Sequence, residues 1–384
     1  MTTMDTSEIL DMRNKITPED LEAIVRNNVE IIAENPELSS ALPPLMVWGG
    51  PGMGKSTILH NVAKEAGIGF IDIRLAQREP VDIRGLPVPN EDSVSWLISS
   101  DWPRDANSRG ILLFDELTAA DRSLQVAAYE IILDRRLGNL YHLPDGWYIV
   151  AAGNREEDMA VATTMSSALA NRFMHVELQE SPEEWVRWGL QNGIHPVVIG
   201  FIRFRPDLLF HQENENLERG WPTPRSWEGV STMLHRFRIA DKPYLLDKML
   251  YGLVGNQAGV EFLAFKEIAA QFDDTYELMT NPNKKINIPE KPDQRYAFCA
   301  AVAYHLWRGK SPDEEAQLLS GFYRIAMALP SDFATMLMID ALTGNRKTDD
   351  PSVFADKLYN HKGYAAWAEK HGKAMRARMS KKGF

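Results

Sequence analysis

Cysteine occurs once in 384 residues, as Cys299. A lone thiol excludes an internal disulfide and a multi-cysteine metal site, and it fits a reducing cytosol. No apolar run reaches the roughly 18 residues that cross a bilayer. The opening "MTTMDTSEIL" lacks a signal-peptide pattern. A cytoplasmic chain without a membrane span is therefore expected. Positive charge is also scarce: the net charge is −11, so the surface as a whole is not built to attract a polyanion. The exception is the tail "HKGYAAWAEKHGKAMRARMSKKGF", with seven Lys/Arg against one Glu. It reads first as a solvated helix with a frayed end, and second as a docking site for an acidic partner or nucleic acid.

Apolar residues make up 44% and charged residues 25%, an ordinary globular balance, and the length allows two or three domains. Residues 1–44 open with a helix: Thr17 can cap it, Pro18 suits its first turn, and Leu21, Ile24, Val25, Val29 and Ile32 recur at helical spacing. From 45 to about 180, short apolar strands alternate with helices. The strands are "LMVW" (45–48), "GFIDIRL" (69–75), "ILLFDEL" (111–117), "WYIVAAG" (147–153) and "HVEL" (175–178). Continuous apolar runs of this kind suit a parallel sheet covered on both faces. Helical patterning dominates after 181, with a soft break near 235–246.

The strongest chemical signal is "GGPGMGKST", the run Gly49, Gly50, Pro51, Gly52, Met53, Gly54, Lys55, Ser56 and Thr57. It fits G-x-x-x-x-G-K-[ST] between a strand and a helix, the context a phosphate-binding loop requires. Glycines let backbone N–H groups turn inward around phosphate oxygens, and the helix start adds partial positive charge. Lys55 can reach the β- and γ-phosphates of ATP, and Ser56 can ligate Mg²⁺. "ILLFDEL" then delivers Asp115, placed to hold Mg²⁺, and Glu116, which can act as general base on water. Asn154 ends the next apolar strand and can orient that water. Arg155 beside it reads as a surface ion pair ahead of a catalytic group. The nine histidines show no H-E-x-x-H and no paired ligand spacing, which argues against a metal other than Mg²⁺.

The order phosphate loop, Asp-Glu strand, Asn strand, "ALANRF", then "PTPR" resembles the AAA+ ATPases, and within them the MoxR family, over roughly residues 15–240. The resemblance implies a P-loop AAA+ core, an α/β domain with a five-stranded parallel sheet of order 5-1-4-3-2, followed by an all-helical lid and a helical C-terminal region. With the helical patterning after 181, the chain divides into a nucleotide-binding domain over 1–180, a lid over 181–245 and a helical C-terminal extension with the basic tail over 246–384, about which the resemblance says little. By the same resemblance Asn154 is the sensor-1 residue, Arg172 the arginine finger, and Arg225 the sensor-2 arginine, acting in cis or across an interface. It further implies a hexameric ring in which Arg172 faces the neighbour's γ-phosphate. Insertions at 82–99 and 135–146 look like the hairpins of that branch. The chain departs from the family at Leu117, Thr118 and Ala119, where an Asn-Arg pair often follows the acidic residues.

The function implied is ATP hydrolysis coupled to remodelling, activation or maturation of a client protein, often with a von Willebrand factor A domain partner. This chain has no D-x-S-x-S motif, so that domain would come from another polypeptide. The alternatives are a nucleic-acid motor and a slow nucleotide-dependent switch or scaffold. Glu91 and Asp92, with no Lys/Arg in 85–98, argue against the motor. Glu116 and Asn154 argue against an inactive scaffold. Trp102 is expected to pack, whereas Trp96 is balanced between core and a substrate-gripping hairpin tip. The aromatic and Met-rich stretch 296–340 is expected to be helix core.

Overall fold

The computed structural model describes residues 14–154, 165–212, 219–344 and 351–380. Arg155 and the last basic residues, Lys381 and Lys382, lie outside the described residues. The chain divides into two compact units, the first ending at Ser181 and the second beginning at Pro182.

The first unit is built on a parallel sheet. Its strands are β1 (Lys15–Ile16), β2 (Leu45–Trp48), β3 (Gly69–Arg74), β6 (Gly110–Asp115), β9 (Trp147–Gly153) and β10 (Met174–Leu178). Their spatial order is β1-β10-β2-β9-β6-β3. The five expected strands keep the order 5-1-4-3-2 among themselves, but the sheet has six strands. The sixth, β1, pairs with β10 at the edge, where Glu177 N donates to Asn14 O at 2.8 Å and Gln179 N to Ile16 O at 2.8 Å. Two residues are too few to show a period of two in sequence. They nevertheless cover backbone groups that an edge strand would otherwise leave unpaired.

Helix α1 (Pro18–Glu34) follows directly. Thr17 caps it, accepting from Asp20 N at 3.2 Å while Asp20 accepts from Thr17 N at 3.0 Å. This reciprocal pair satisfies two donors at the helix start. Helix α1 packs on β9, and α2 (Lys55–Ala66) packs on β6. The opposite face carries Met46, Leu112, Phe114, Ile149 and Ala151. These join Leu124, Ala127, Ala128 and Ile131 of α4 (Arg122–Asp134) in one core. Strand β9 is buried at every residue, as a central strand covered on both faces should be.

Two antiparallel hairpins leave this unit. One follows the short helix α3 (Pro80–Arg84) and pairs β4 (Leu86–Pro89) with β5 (Val94–Leu97). Its apolar residues are turned to solvent, with Trp96 42% and Leu97 62% exposed. The other pairs β7 (Arg136–Leu137) with β8 (Tyr141–His142). Trp102 is buried against Phe114 and Tyr141.

The second unit is helical throughout its described residues. It comprises α6 (Pro182–Gln191), α7 (Pro196–Phe204), α8 (Pro224–Arg236), α9 (Tyr244–Ala269), α10 (Thr275–Thr280), α11 (Pro292–Leu306), α12 (Pro312–Ala328), α13 (Ser331–Thr343), α14 (Pro351–Tyr359) and α15 (Tyr364–Ser380). Residues on both sides of 245 share one core. Trp185, Phe201 and Trp227 pack in the same cluster as Phe262, Phe298, Phe322, Leu337 and Trp367. Cys299 is buried in that cluster, and burial pushes its thiol well above the usual range.

Candidate nucleotide site

The loop Gly49–Gly54 joins β2 to α2. Gly54 precedes α2 with φ 92°, and a Cβ added there would meet nothing within 4 Å. The demand for glycine is therefore conformational and not a matter of space. No side chain caps α2, so its first amides are left for another acceptor. Lys55 is buried, and its Nζ donates to Gly49 O at 2.5 Å, Gly50 O at 3.1 Å and Asn154 Oδ1 at 3.2 Å. Gly49, Gly50 and Met53 are buried, Pro51 and Gly52 half-buried, and Thr57 exposed on the helix.

Strand β6 delivers the acidic pair. Asp115 Oδ2 accepts from Ser56 Oγ at 2.6 Å, and its Oδ1 accepts from Glu116 N at 2.9 Å. Glu116 has φ 56°, one of two left-handed non-glycine residues among those described. Such backbone costs on the order of 1–3 kcal/mol and persists only where neighbours enforce it. Here Ala119 N and Ala120 N bond to Glu116 O, and Leu117 N bonds to Ala152 O at 2.9 Å. The chain thus leaves the strand sharply at Glu116.

Asn154 is fixed by the sequence's own departure from the resembled pattern. Thr118 Oγ1 accepts from Asn154 N at 3.2 Å. Before it, Gly153 leaves room: a Cβ there would come within 2.7 Å of Met46 Cε and 2.8 Å of Thr118 Cγ2. In sequence Thr118 stands out only as a departure from the family pattern, and the clue to its role is its place two residues after Glu116.

A third carboxylate, Asp72, escaped the sequence reading. It lies on β3, paired in register with β6, with Arg74 opposite Asp115. Arg74 Nε is 3.6 Å from Asp72 Oδ2. Burial raises the Asp72 carboxyl above its ordinary range, the charges of Asp115 and Glu116 add to this, and Arg74 opposes it. The signal was available as an acid inside an otherwise apolar strand, two residues from an arginine on the same face.

The loop, Asp115, Glu116 and Asn154 therefore meet at one end of the sheet. The donor set suits a magnesium nucleotide: an uncapped helix start and a buried ammonium for phosphates, with Ser56 Oγ and Asp115 Oδ2 adjacent for a hard cation. Two of the expected site residues remain, both arginines. Arg172 follows the short helix α5 (Ser167–Ala170), is exposed, and makes no ion pair with a described residue. Arg225 belongs to the second unit, in the first turn of α8, where Thr223 and Ser226 form a reciprocal cap and Pro224 fills the first position. It too is exposed.

Residues 45–177 match the model of the ATPase family associated with various cellular activities (AAA). This segment, about a third of the chain, is similar to AAA-type ATPase domains. The chain is also similar to midasin of Giardia intestinalis, with 22% identity over 169 residues that cover 41% of this chain. The match spans only 4% of midasin's length. Among solved structures, the chain is similar to the RuvB Holliday junction branch migration motor of Thermotoga maritima at 16% identity. That likeness covers 67% of this chain and 76% of RuvB, with a TM-score of 0.36. It is similar to NtrX of Brucella abortus, solved in complex with ADP, at 15% identity. There 98% of this chain and 71% of NtrX are covered, with a TM-score of 0.36. No helix among the described residues is long and apolar enough to cross a membrane.

Proposed function

We propose that the chain is a ring-forming ATPase of the MoxR type that couples ATP hydrolysis to remodelling, activation or maturation of a client protein. A von Willebrand factor A domain protein on another polypeptide is its proposed partner. The observation that carries the reading is the meeting of Lys55 with Asn154 at 3.2 Å and of Ser56 with Asp115 at 2.6 Å beside Glu116, within a segment similar to AAA-type ATPase domains.

The roles follow from chemistry. Lys55 offsets charge on the β- and γ-phosphates, and the loop amides donate to the remaining phosphate oxygens. Ser56 and Asp115 hold Mg²⁺, which when bound neutralises charge on the triphosphate. Glu116 accepts a proton from water, and Asn154 orients that water. Arg172, exposed and without an ion pair to a described residue, is free to reach a neighbouring subunit's γ-phosphate. A head-to-tail interface of suitable rotation closes a ring, and six subunits are proposed. Arg225 contacts a phosphate, in cis or across the interface.

The acidic balance and the exposed, cation-free hairpin β4–β5 support a protein client over a nucleic acid. The test is steady-state ATP turnover alone and with duplex or single-stranded DNA, alongside the mass of the assembly in ATP. Turnover unchanged by DNA, from a closed oligomer, is expected. Severalfold stimulation by DNA, or a monomer at saturating ATP, would overturn the reading.

A further inference from the structure

The segment that carries Arg172 is tied down on both sides. Upstream, Ser166 caps α5 by accepting from Leu169 N at 3.3 Å, and it also accepts from Tyr129 OH of α4 at 2.7 Å. Downstream the tie runs to the nucleotide site. Trp48 is the last residue of β2 and immediately precedes the phosphate loop. Its Nε1 donates to His175 Nδ1 at 2.9 Å, with the two rings stacked at 17°. An indole nitrogen can only donate, so Nδ1 is the acceptor and the imidazole proton sits on Nε2. Nε2 then donates to Ala170 O, with a nitrogen–oxygen distance of 2.7 Å. The same carbonyl accepts from Phe173 N at 3.2 Å, while Arg172 N bonds to Leu169 O at 3.1 Å. Phe173 is buried, edge-on to the His175 ring at 6.1 Å. The turn from Ala170 to Phe173, with Arg172 inside it, is therefore held by one imidazole whose other nitrogen is held by Trp48. Sheet pairing alone does not require this, since β10 and β2 pair through their backbones.

We propose that His175 is a positioning residue for Arg172. It fixes the arginine's turn against the strand that enters its own subunit's phosphate loop, so the strand serving one nucleotide sets the arginine offered to the next. The proposal rests on Arg172 acting in trans. Removing the bridge leaves Lys55, Ser56 and the loop glycines in place but lets the arginine wander, and a misplacement of about 1 Å can cost up to roughly 10²-fold in rate.

The test uses His175→Leu, which removes both bonds, His175→Gln, which keeps one donor and one acceptor, and Trp48→Phe, which keeps a ring but no donor. His175→Leu should lower kcat by roughly 10- to 10²-fold with the KM for ATP nearly unchanged, because the lost contact belongs to the transition state. His175→Gln should recover part of the loss. Subunit mixing then locates the lesion. His175→Leu mixed with Lys55→Ala should gain turnover, because an intact pocket meets an intact arginine. Mixed with Arg172→Ala it should gain nothing over the parents, since neither chain presents a well-placed arginine. Recovery with Arg172→Ala would put the lesion in the chain's own pocket and overturn the proposal. Recovery with neither, while Arg172→Ala and Lys55→Ala do rescue each other, would mean general damage and overturn it as well. If that control pair stays inactive with subunit exchange shown by labelled chains, the trans reading of Arg172 fails, and the proposal falls with it.

Discussion

Ser56 Oγ lies 2.6 Å from Asp115 Oδ2, joining the first turn of α2 to the end of β6 across 59 residues of sequence. This contact places a hydroxyl and a carboxylate where a hard cation would take both as ligands. Asp115→Asn removes the negative charge of the only carboxylate in that ligand pair. It should raise the Mg²⁺ concentration for half-maximal turnover by roughly tenfold or more, and a chelator should abolish turnover of the parent chain. An unchanged Mg²⁺ titration would remove Asp115 from the metal site.

Glu116→Gln keeps the shape of the side chain and loses its basicity. ATP should still bind, because Lys55, Ser56 and Asp115 are untouched. Turnover should fall by at least roughly 10²-fold, the lower end of what a general base contributes. Single-turnover hydrolysis and a direct binding titration separate the two effects. Near-normal hydrolysis would mean that another group activates water.

Arg172→Ala should leave ATP affinity close to that of the parent and lower turnover by roughly 10³-fold, as arginine fingers do. The thermal stability of the isolated chain should hardly move, since Arg172 is exposed and makes no ion pair with a described residue. A large drop in stability would identify it as a structural residue.

Gly153→Ala tests the space behind Asn154. The new methyl would meet Met46 Cε at 2.7 Å and Thr118 Cγ2 at 2.8 Å. Overpacking of this kind costs about 1–3 kcal/mol. The urea midpoint should fall, and turnover with it, because Thr118 holds Asn154 N. An unchanged midpoint would show that Met46 simply swings aside.

The second unit should lose stability in mild acid. Burial, with the His235 charge adding, lowers the His195 pKa to about 4 from 6.5. Its Nδ1 accepts from Val197 N at the start of α7, so protonation also breaks a helix cap. The unfolded chain then binds more protons than the folded one between pH 6.5 and about 4. This contribution is complete above pH 6.5 and is lost as pH falls through that window, by up to about 3 kcal/mol. His195→Asn keeps an acceptor and should flatten the pH dependence. Denaturation followed from pH 7 to 4 in both chains would show whether it does.

The parts of the site that were legible in sequence are those written as contiguous runs. The phosphate loop, Asp115 and Glu116 each follow an apolar strand, and a strand delivers its last residue to a sheet end whatever its neighbours are. Asp72, His175 and the role of Thr118 were not legible because their importance comes from which segment lies beside which. The two-residue β1 was missed for lack of length. The shared core of Trp227 and Phe262 was hidden because helical periodicity shows that a face is buried and not what buries it.

Cys299 has a practical consequence. Its sulfur lies deep in the helical core with its thiol far from ionising, so a thiol reagent added to the native chain finds no nucleophile. Labelling in a mild denaturant would report the opening of the helical unit alone, with one signal per chain. A cysteine introduced on an exposed hairpin residue such as Leu97 would then be the sole site to accept a dye under native conditions. The natural sequence is in effect already a cysteine-free background for following subunits as they exchange.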